Sequence, residues 1–221
     1  MTNIVYSDGT PTVTFAFDRL GRQTTITDGT GTRSFGYDDA LRLAAETNVF
    51  GVLERTYDSF GRPLGLALDG TPQAAYGYDG VGRFDQVAWQ YGGTACTATY
   101  SYVQGLLAGY DLLVGTNLFQ TRKAFEPQRD LIAAVSNTWN GMAVSGYDYF
   151  NDALARRTRR VDNASVTNDF GYNLRSELTG AAMGTNQYGY AYDPIGNRQT
   201  ASNNAEVLTY LANALNHYCP V

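Results

Sequence analysis

Histidine occurs once in the 221 residues, at His217, lysine once, at Lys123, and cysteine twice, at Cys96 and Cys219. A Ser-His-Asp or Cys-His mechanism would have to recruit His217, since a nucleophile needs a base within hydrogen-bond reach. Cys96 and Cys219 belong to no CxxC pair and no metal-spaced cluster, which leaves no disulfide framework and no zinc site to argue from. Charged residues make up only 17% and the formal net charge is -5, a balance opposed to gripping nucleic acid. No window approaches 18 consecutive apolar residues, so a transmembrane helix and membrane insertion are excluded by length. The opening Met1 to Thr10 lacks the basic and apolar regions of a signal peptide, so export would depend on a longer parent chain or another route.

What is present is aromatic and glycine-rich: 17 Tyr, 10 Phe and 24 Gly, with 43% hydrophobic residues. That mixture belongs to ordered β-structure and not to an acidic disordered tail. Fifteen of the sixteen cationic side chains are Arg, which suggests fixed pairing with Tyr and Asp more than a loosely solvated surface.

One motif recurs along the chain: aromatic-x-aromatic-Asp-x-x-Gly-Arg. It appears as Phe15 to Arg22, Phe35 to Arg42, Thr56 to Arg62, Tyr76 to Arg83 and Tyr190 to Arg198. Weaker copies fill the middle, at Tyr100-Ser101-Tyr102-Val103, Phe125-Glu126, Tyr147 to Arg156 and Phe170 to Arg175, and Tyr210-Leu211 opens a tenth. The residue after the aromatic falls at 18, 38, 58, 79, 103, 126, 150, 173, 193 and 211, a spacing of 18 to 24.

Each copy reads as a β-hairpin. Aromatics at i and i+2 project from one face of a strand, with a small residue between them (Ala16, Gly36, Gly77, Gly171, Gly189, Ala191) that suggests a close approach. Asp-x-x-Gly places Asp first and Gly last in a type I turn, and Pro194 suits the second position. Arg then opens a returning strand such as Arg22 to Thr27, expected to alternate. Further two-residue turns are expected at Asp28-Gly29, Asp69-Gly70 and Asn140-Gly141. Leu106 to Leu118, interrupted by Gly109 and Gly115, reads as irregular strand. Asn204 to Asn216 has amphipathic helical spacing yet overlaps a repeat position, so helix and strand both stand, with strand preferred.

Iterated Tyr-Asp-x-x-Gly-Arg at a period near 20 resembles the YD-repeat, or Rhs-repeat, family. Its members include bacterial Rhs polymorphic toxins, insecticidal toxin complex C components, wall-associated proteins and teneurins. The resemblance implies an all-β antiparallel hairpin strip curving as a segment of a hollow spiral shell, which in toxin members encloses a C-terminal cargo. The whole of 1–221 reads as one array: strong repeats in 1–90, degenerate ones in 91–180, and a strong plus a truncated one in 181–221. Asp193-Pro194-Ile195-Gly196 overlaps the family's core consensus but lacks its second half, so Asp193 is read as a turn residue. Neither end resembles a cap, and the chain is expected to be a fragment or truncated relative of a longer shell protein. About twenty strands at roughly 4.8 Å each make a strip of about 96 Å, which closed in one ring would be only about 30 Å across, a wall and not a container.

The other chemistry is thin. Asp38-Asp39 and Asp148 to Asp152 lack the converging oxygens of a calcium loop. Motif Asp residues read as turn caps, and motif aromatics as a ladder of stacked rings across neighbouring hairpins. His217 and Cys219 sit at the chain end, a poor place to hold geometry. In Arg156-Arg157-Thr158-Arg159-Arg160, strand alternation would put Arg156 and Arg160 on one side and Arg157 and Arg159 on the other, splitting any anion site. Asn163-Ala164-Ser165 matches a glycosylation sequon. No catalytic, cofactor or metal residues are assigned, no binding residue is named, no cofactor is expected, and the chain is not read as an enzyme. The function expected is a non-catalytic shell wall, secreted or at the cell surface within a longer parent, partnered by the rest of that parent and its cargo. A carbohydrate- or protein-binding surface module, with the motif Tyr exposed, is the alternative. A strip that associates with itself through edge strands is the third.

Overall fold

The computed structural model describes residues 2–212 and, as backbone, 218–219. Among these residues there is no helix, and twenty-two strands follow one another in sequence. The chain divides into two compact units, residues 1–100 with 112–116, and residues 101–111 with 117–221.

The first unit is an antiparallel meander. Its strands are β1 (Thr2–Ile4), β2 (Val13–Phe17), β3 (Gln23–Asp28), β4 (Gly31–Tyr37), β5 (Leu43–Asn48), β6 (Gly51–Tyr57), β7 (Pro63–Leu68), β8 (Thr71–Tyr78) and β9 (Phe84–Tyr91). Each pairs with the next, and the start of β10 (Thr94–Val103) pairs with β9. The division between units falls within β10 and β11 (Leu106–Val114). The stretch read as irregular strand, Leu106 to Leu118, is strand from Leu106 to Val114, turns at Gly115 and Thr116 and resumes as strand at Asn117. Gly109 is there for a close approach, since a Cβ would lie 2.1 Å from the Thr121 carbonyl oxygen.

The second unit continues with β12 (Asn117–Phe125), β13 (Ile132–Trp139), β14 (Met142–Asn151), β15 (Arg157–Asp162), β16 (Val166–Tyr172), β17 (Leu178–Met183), β18 (Asn186–Tyr192), β19 (Arg198–Asn203) and β20 (Glu206–Thr209). From β12 onward each strand again pairs antiparallel with the next. The short β21 (Leu211–Ala212) pairs with β22 (Tyr218–Cys219). Residues 206–209 and 211–212 are therefore strand, as preferred; 213–216 of the helix-or-strand window lie outside the described residues.

Six of the YD hairpins carry the same bulge. In the first, Ala16 faces Thr25 while Phe17 faces Gln23, leaving Thr24 extra, and the same shift recurs at Tyr37, Tyr57, Tyr78, Tyr172 and Tyr192. The returning strand therefore does not alternate as its sequence suggests, because one residue is inserted on its side and the strand twists there. Among the described residues neither sheet face is sealed: the buried apolar ones are Cys96, Ala98 and Ala181, and no large side chain is fully buried. Cys96 is a free thiol. The fold therefore rests on strand ladders and on half-covered side chains linking one hairpin to the next.

Candidate functional site

The motif turn is a three-residue loop with a fixed set of bonds. At Asp58 the backbone N–H donates to the Arg62 carbonyl at 2.9 Å, and Gly61 N–H donates back to the Asp58 carbonyl at 3.0 Å. One carboxylate oxygen of Asp58 accepts the N–H groups of Phe60 and Arg62, both at 2.9 Å, and the other accepts Arg62 Nε at 2.7 Å. The same bonds form at Asp18, Asp79 and Asp152, and at Asp38 the carboxylate likewise accepts the backbone N–H and Nε of Arg42. At Asp193 the cap accepts from Ile195 and Asn197, with the Asn197 amide in place of a guanidinium. Partial burial pushes the carboxyls of Asp18, Asp58, Asp79, Asp152 and Asp193 upward, but these hydrogen bonds outweigh it and hold them below the ordinary value. At Asp38 the Arg42 backbone N–H is the leading cause of the same lowering.

The Gly position needs a left-handed backbone, with φ of +79° at Gly21, +84° at Gly61, +89° at Gly82 and +95° at Gly196. Leu41, Ala155 and Ser176 occupy it in other repeats with φ of +67°, +63° and +64°. The side chain draws each of them toward the centre of the left-handed well.

Between repeats the motif Arg covers the Tyr of the following copy. In the first unit Arg22, Arg42 and Arg62 sit 4.4, 4.5 and 4.2 Å above the rings of Tyr37, Tyr57 and Tyr78. Those Tyr hydroxyls donate back to the carbonyls just past each Arg, at Gln23, Leu43 and Pro63, over 2.7, 2.8 and 3.0 Å. In the second unit Arg156 covers Tyr172 at 5.0 Å, and Tyr172 and Tyr192 donate to Arg157 and Leu178, both at 2.9 Å. Arg42 and Arg156 also reach the carbonyls of Asp58 and Asn173 at the next turn, at 3.3 and 3.1 Å.

The ladder is therefore Arg on Tyr, where ring on ring was expected. Equivalent residues of consecutive hairpins lie two strands apart, about 9.6 Å. Rings interact at roughly 4.5–7 Å, so a guanidinium fills the interval. Direct ring contacts are local: Phe84 lies 6.0, 5.9 and 5.4 Å from Tyr76, Tyr78 and Tyr100, and Tyr147 stacks on Tyr149 at 6.4 Å.

The middle copies depart from the reading. Position 103 is no motif turn, because Gln104 and Gly105, with φ of +49° and +85°, form a two-residue reversal. At Glu126 a longer loop closes on Leu131, with Arg129 paired to Glu126 and donating to the Asp152 carbonyl at 2.6 Å. The seventh turn Asp is Asp152, two residues past the expected 150, since Asp152 N–H donates to Arg156. At Asn173, Arg and Glu exchange places: Arg175 pairs with Glu177 at 2.8 Å and donates to the Asp193 carbonyl at 2.7 Å.

Other candidate residues are dispersed. Arg157 and Arg160 share a face, lying 3.8 and 5.8 Å over Tyr149 and Tyr147, because the bulge at Thr158 reverses the expected split. Arg156, Arg159 and Arg160 pair separately with Asp152, Asp169 and Asp162, each within 2.7 Å, so the cluster holds no common anion site. His217 lies outside the described residues, and Cys219 is placed only as backbone. Among the described residues no group of His, Cys, Asp or Glu is arranged to hold a metal ion. The close approach foreseen at the small between-residues is tight at Gly77 and Gly189, where a Cβ would meet Gln86 at 3.0 Å and Ser202 at 2.6 Å.

A second repeated device was not foreseen. Asp69, Asn140, Asn163 and Asn204 are left-handed turn residues whose N–H donates to a strand of the preceding hairpin, at Val52, Leu118, Gly146 and Gln187. Their side-chain oxygens accept the N–H of those same residues at 2.8–2.9 Å. Each thus imitates one more ladder residue at the far edge of the sheet. Asp69, Asn163 and Asn204 come eleven residues after Asp58, Asp152 and Asp193, a register that could have disclosed them. Where the interval is ten, at Asp28 and Asn48, the side chain instead caps Thr30 and Phe50. Asp28-Gly29 is accordingly not the expected left-handed pair: Asp28 faces Gly31 across the turn.

No family model matches the sequence, and no curated protein matches it. In fold the chain is similar to the crystal structure of TcdB2-TccC3, with a TM-score of 0.53 and 12% identity over 98% of this chain and 16% of that one. It is similar to TcdB2-TccC3-Cdc42 and to TcdB2-TccC3 without its hypervariable C-terminal region, each at a TM-score of 0.52, with 13% and 14% identity over 93% of this chain. The chain spans 14% of the length of each of these last two, and the likeness is one of fold.

Proposed function

We propose that this chain is a YD-type repeat array serving as a non-catalytic wall segment of a shell, within a longer parent protein that encloses or presents a cargo outside the cell or at its surface. The observation that carries the reading is the occupation of the motif Tyr. Their rings are covered by Arg of the preceding repeat and their hydroxyls donate to its backbone, so they serve cohesion between hairpins. The fold shared with TcdB2-TccC3 structures, of which the chain matches only a small share, supports a part of a larger assembly.

Self-association is the second reading, favoured by β1 and β20, whose residues are all exposed and which each pair on one side only among the described residues. Light scattering coupled to size exclusion, with circular dichroism on the eluted peak, tests both. The wall reading expects β-rich protein that binds further repeat hairpins added in trans. Filaments growing with concentration favour self-association. A β-rich 24.1 kDa monomer indifferent to added repeats overturns both.

A further inference from the structure

The motif turns carry apolar side chains that the turns do not use. In the first unit the third loop residue gives its backbone N–H to the Asp carboxylate, at Leu20, Phe60 and Val81 over 2.8, 2.9 and 3.0 Å. Nothing in that bonding calls for a side chain, and small or polar residues are the usual occupants of such loops. Yet Leu20, Phe60 and Val81 are large, and they are 65%, 83% and 78% exposed. Phe60 has the Arg62 guanidinium over its ring at 5.3 Å and leaves the rest to solvent. Leu154 and Ile195 hold the same place in the second unit and are exposed as well.

In the first unit these loops join β2 to β3, β4 to β5, β6 to β7 and β8 to β9, so the meander brings all four to one edge of the sheet. They recur about every 9.6 Å. Single exposed apolar side chains need no explanation, but a row of them along one edge marks a contact surface. The edge is also electrically quiet. The carboxylates of Asp18, Asp38, Asp58 and Asp79 are each paired with their own Arg at 2.7 Å. Arg19 and Asp39 are the only other charges in the four loops.

We propose that a second copy of this chain docks here, the two motif edges meeting about a two-fold axis normal to the sheet. An identical row stays in step along its whole length. The apolar face of an amphipathic helix returns about every 10.5 Å and would drift by about 3 Å over three intervals. A two-fold axis runs the rows in opposite directions, so the register that engages all four loops sets the first against the fourth and the second against the third. The third loop residues suit that register: Phe60, the largest, faces Ala40, the smallest, and Leu20 faces Val81. Arg19 then faces Gly80 and Asp39 faces Ser59, so no like charges are opposed. One edge of four loops offers less than the roughly 800 Å² per partner of a standard interface, so the dimer is reversible, with a dissociation constant on the order of 10–100 μM. The contact does not rest on the wall reading and uses neither β1 nor β20.

The test is sedimentation velocity of the full chain across that concentration range, for the native protein, Phe60→Glu and the far-edge control Tyr91→Ser. Native chains are expected to pass from monomer to dimer, and Tyr91→Ser, at an exposed position on the opposite edge, to do the same. Phe60→Glu brings a carboxylate beside Asp39 of the other copy and should weaken dimerisation at least about tenfold. Circular dichroism confirms that each variant is folded. A second measurement keeps the apolar row intact: Asp39→Cys and Ser59→Cys chains, both carrying Cys219→Ser, are mixed and mildly oxidised. The mixture should cross-link at least about fivefold more than either variant alone, because only unlike positions come within disulfide reach. A monomer throughout, a folded Phe60→Glu chain that dimerises like the native one, or a mixture that cross-links no better than its components overturns the proposal. Growth past the dimer that Phe60→Glu leaves unchanged overturns it too, in favour of the strand edges.

Discussion

The Arg42–Tyr57 step of the ladder allows a quantitative trial. The guanidinium lies 4.5 Å above the ring, with the Arg42 side chain 32% exposed, between the fully exposed and the desolvated cases. A cation–π contact there is worth about 1 kcal/mol. The Tyr57 hydroxyl adds a 2.8 Å bond to the Leu43 carbonyl, worth about 1 kcal/mol net. Tyr57→Phe should therefore lower stability by about 1 kcal/mol, while Tyr57→Leu, losing both contacts, should lower it by about 2 kcal/mol or more. In a double-mutant cycle of Tyr57→Leu with Arg42→Gln, the coupling should be about 1 kcal/mol. Because repeats touch only their neighbours, the readout should be local as well as global. Urea unfolding gives the sum, and amide exchange around the Asp58 to Arg62 turn gives the step itself. A coupling below about 0.3 kcal/mol would show that the ring and guanidinium merely lie together, and the account of cohesion between hairpins would fail.

Two further outcomes follow from the same turn. Leu41→Gly and Ala155→Gly should each stabilise by about 0.5–1 kcal/mol, as relief from a left-handed L-residue outweighs the added freedom of the unfolded chain; thermal melts showing destabilisation in both would refute the strain. The motif Asp carboxyls are held below their ordinary 3.8, so the folded state takes up protons at lower pH than the unfolded one. Their contribution is complete above the unfolded value and is lost as pH falls through the lowered one. Stability followed by circular dichroism should therefore be level down to about pH 5, fall below about pH 4, and fall less steeply in Asp58→Asn.

The all-β class, the hairpin repeat and the turn role of Asp were legible because each rests on residues adjacent in sequence: Asp18 caps the N–H groups of Leu20 and Arg22 within one loop. What could not be read depends on an inserted residue. The bulge at Thr24 leaves no mark in Arg22 to Thr27, yet a like bulge at Thr158 decides which arginines share a face. Turn chemistry misled in the same way, since Asp28-Gly29 and Asp69-Gly70 look alike and differ only in a one-residue interval from the motif Asp.

The excess of Arg over Lys has a geometric cause in this ladder. Arg42 touches three things at once: the Asp38 carboxylate through Nε at 2.7 Å, the Asp58 carbonyl through Nη1 at 3.3 Å, and the Tyr57 ring through its plane. These partners lie in different directions, two at the edge of a flat group and one below it. An ammonium is compact and has no plane to lay on a ring, so it could serve the carboxylate or the ring but would leave the carbonyl unmet. The interval of two strands between hairpins is spanned by a side chain that is long, flat and cationic at Arg22, Arg42, Arg62 and Arg156. The sole lysine, Lys123, stands on β12, in the degenerate middle of the array, where its motif turn is absent. Substituting Arg42→Lys should thus preserve the charge and still lose most of the coupling to Tyr57, which distinguishes a ladder of planes from a ladder of charges.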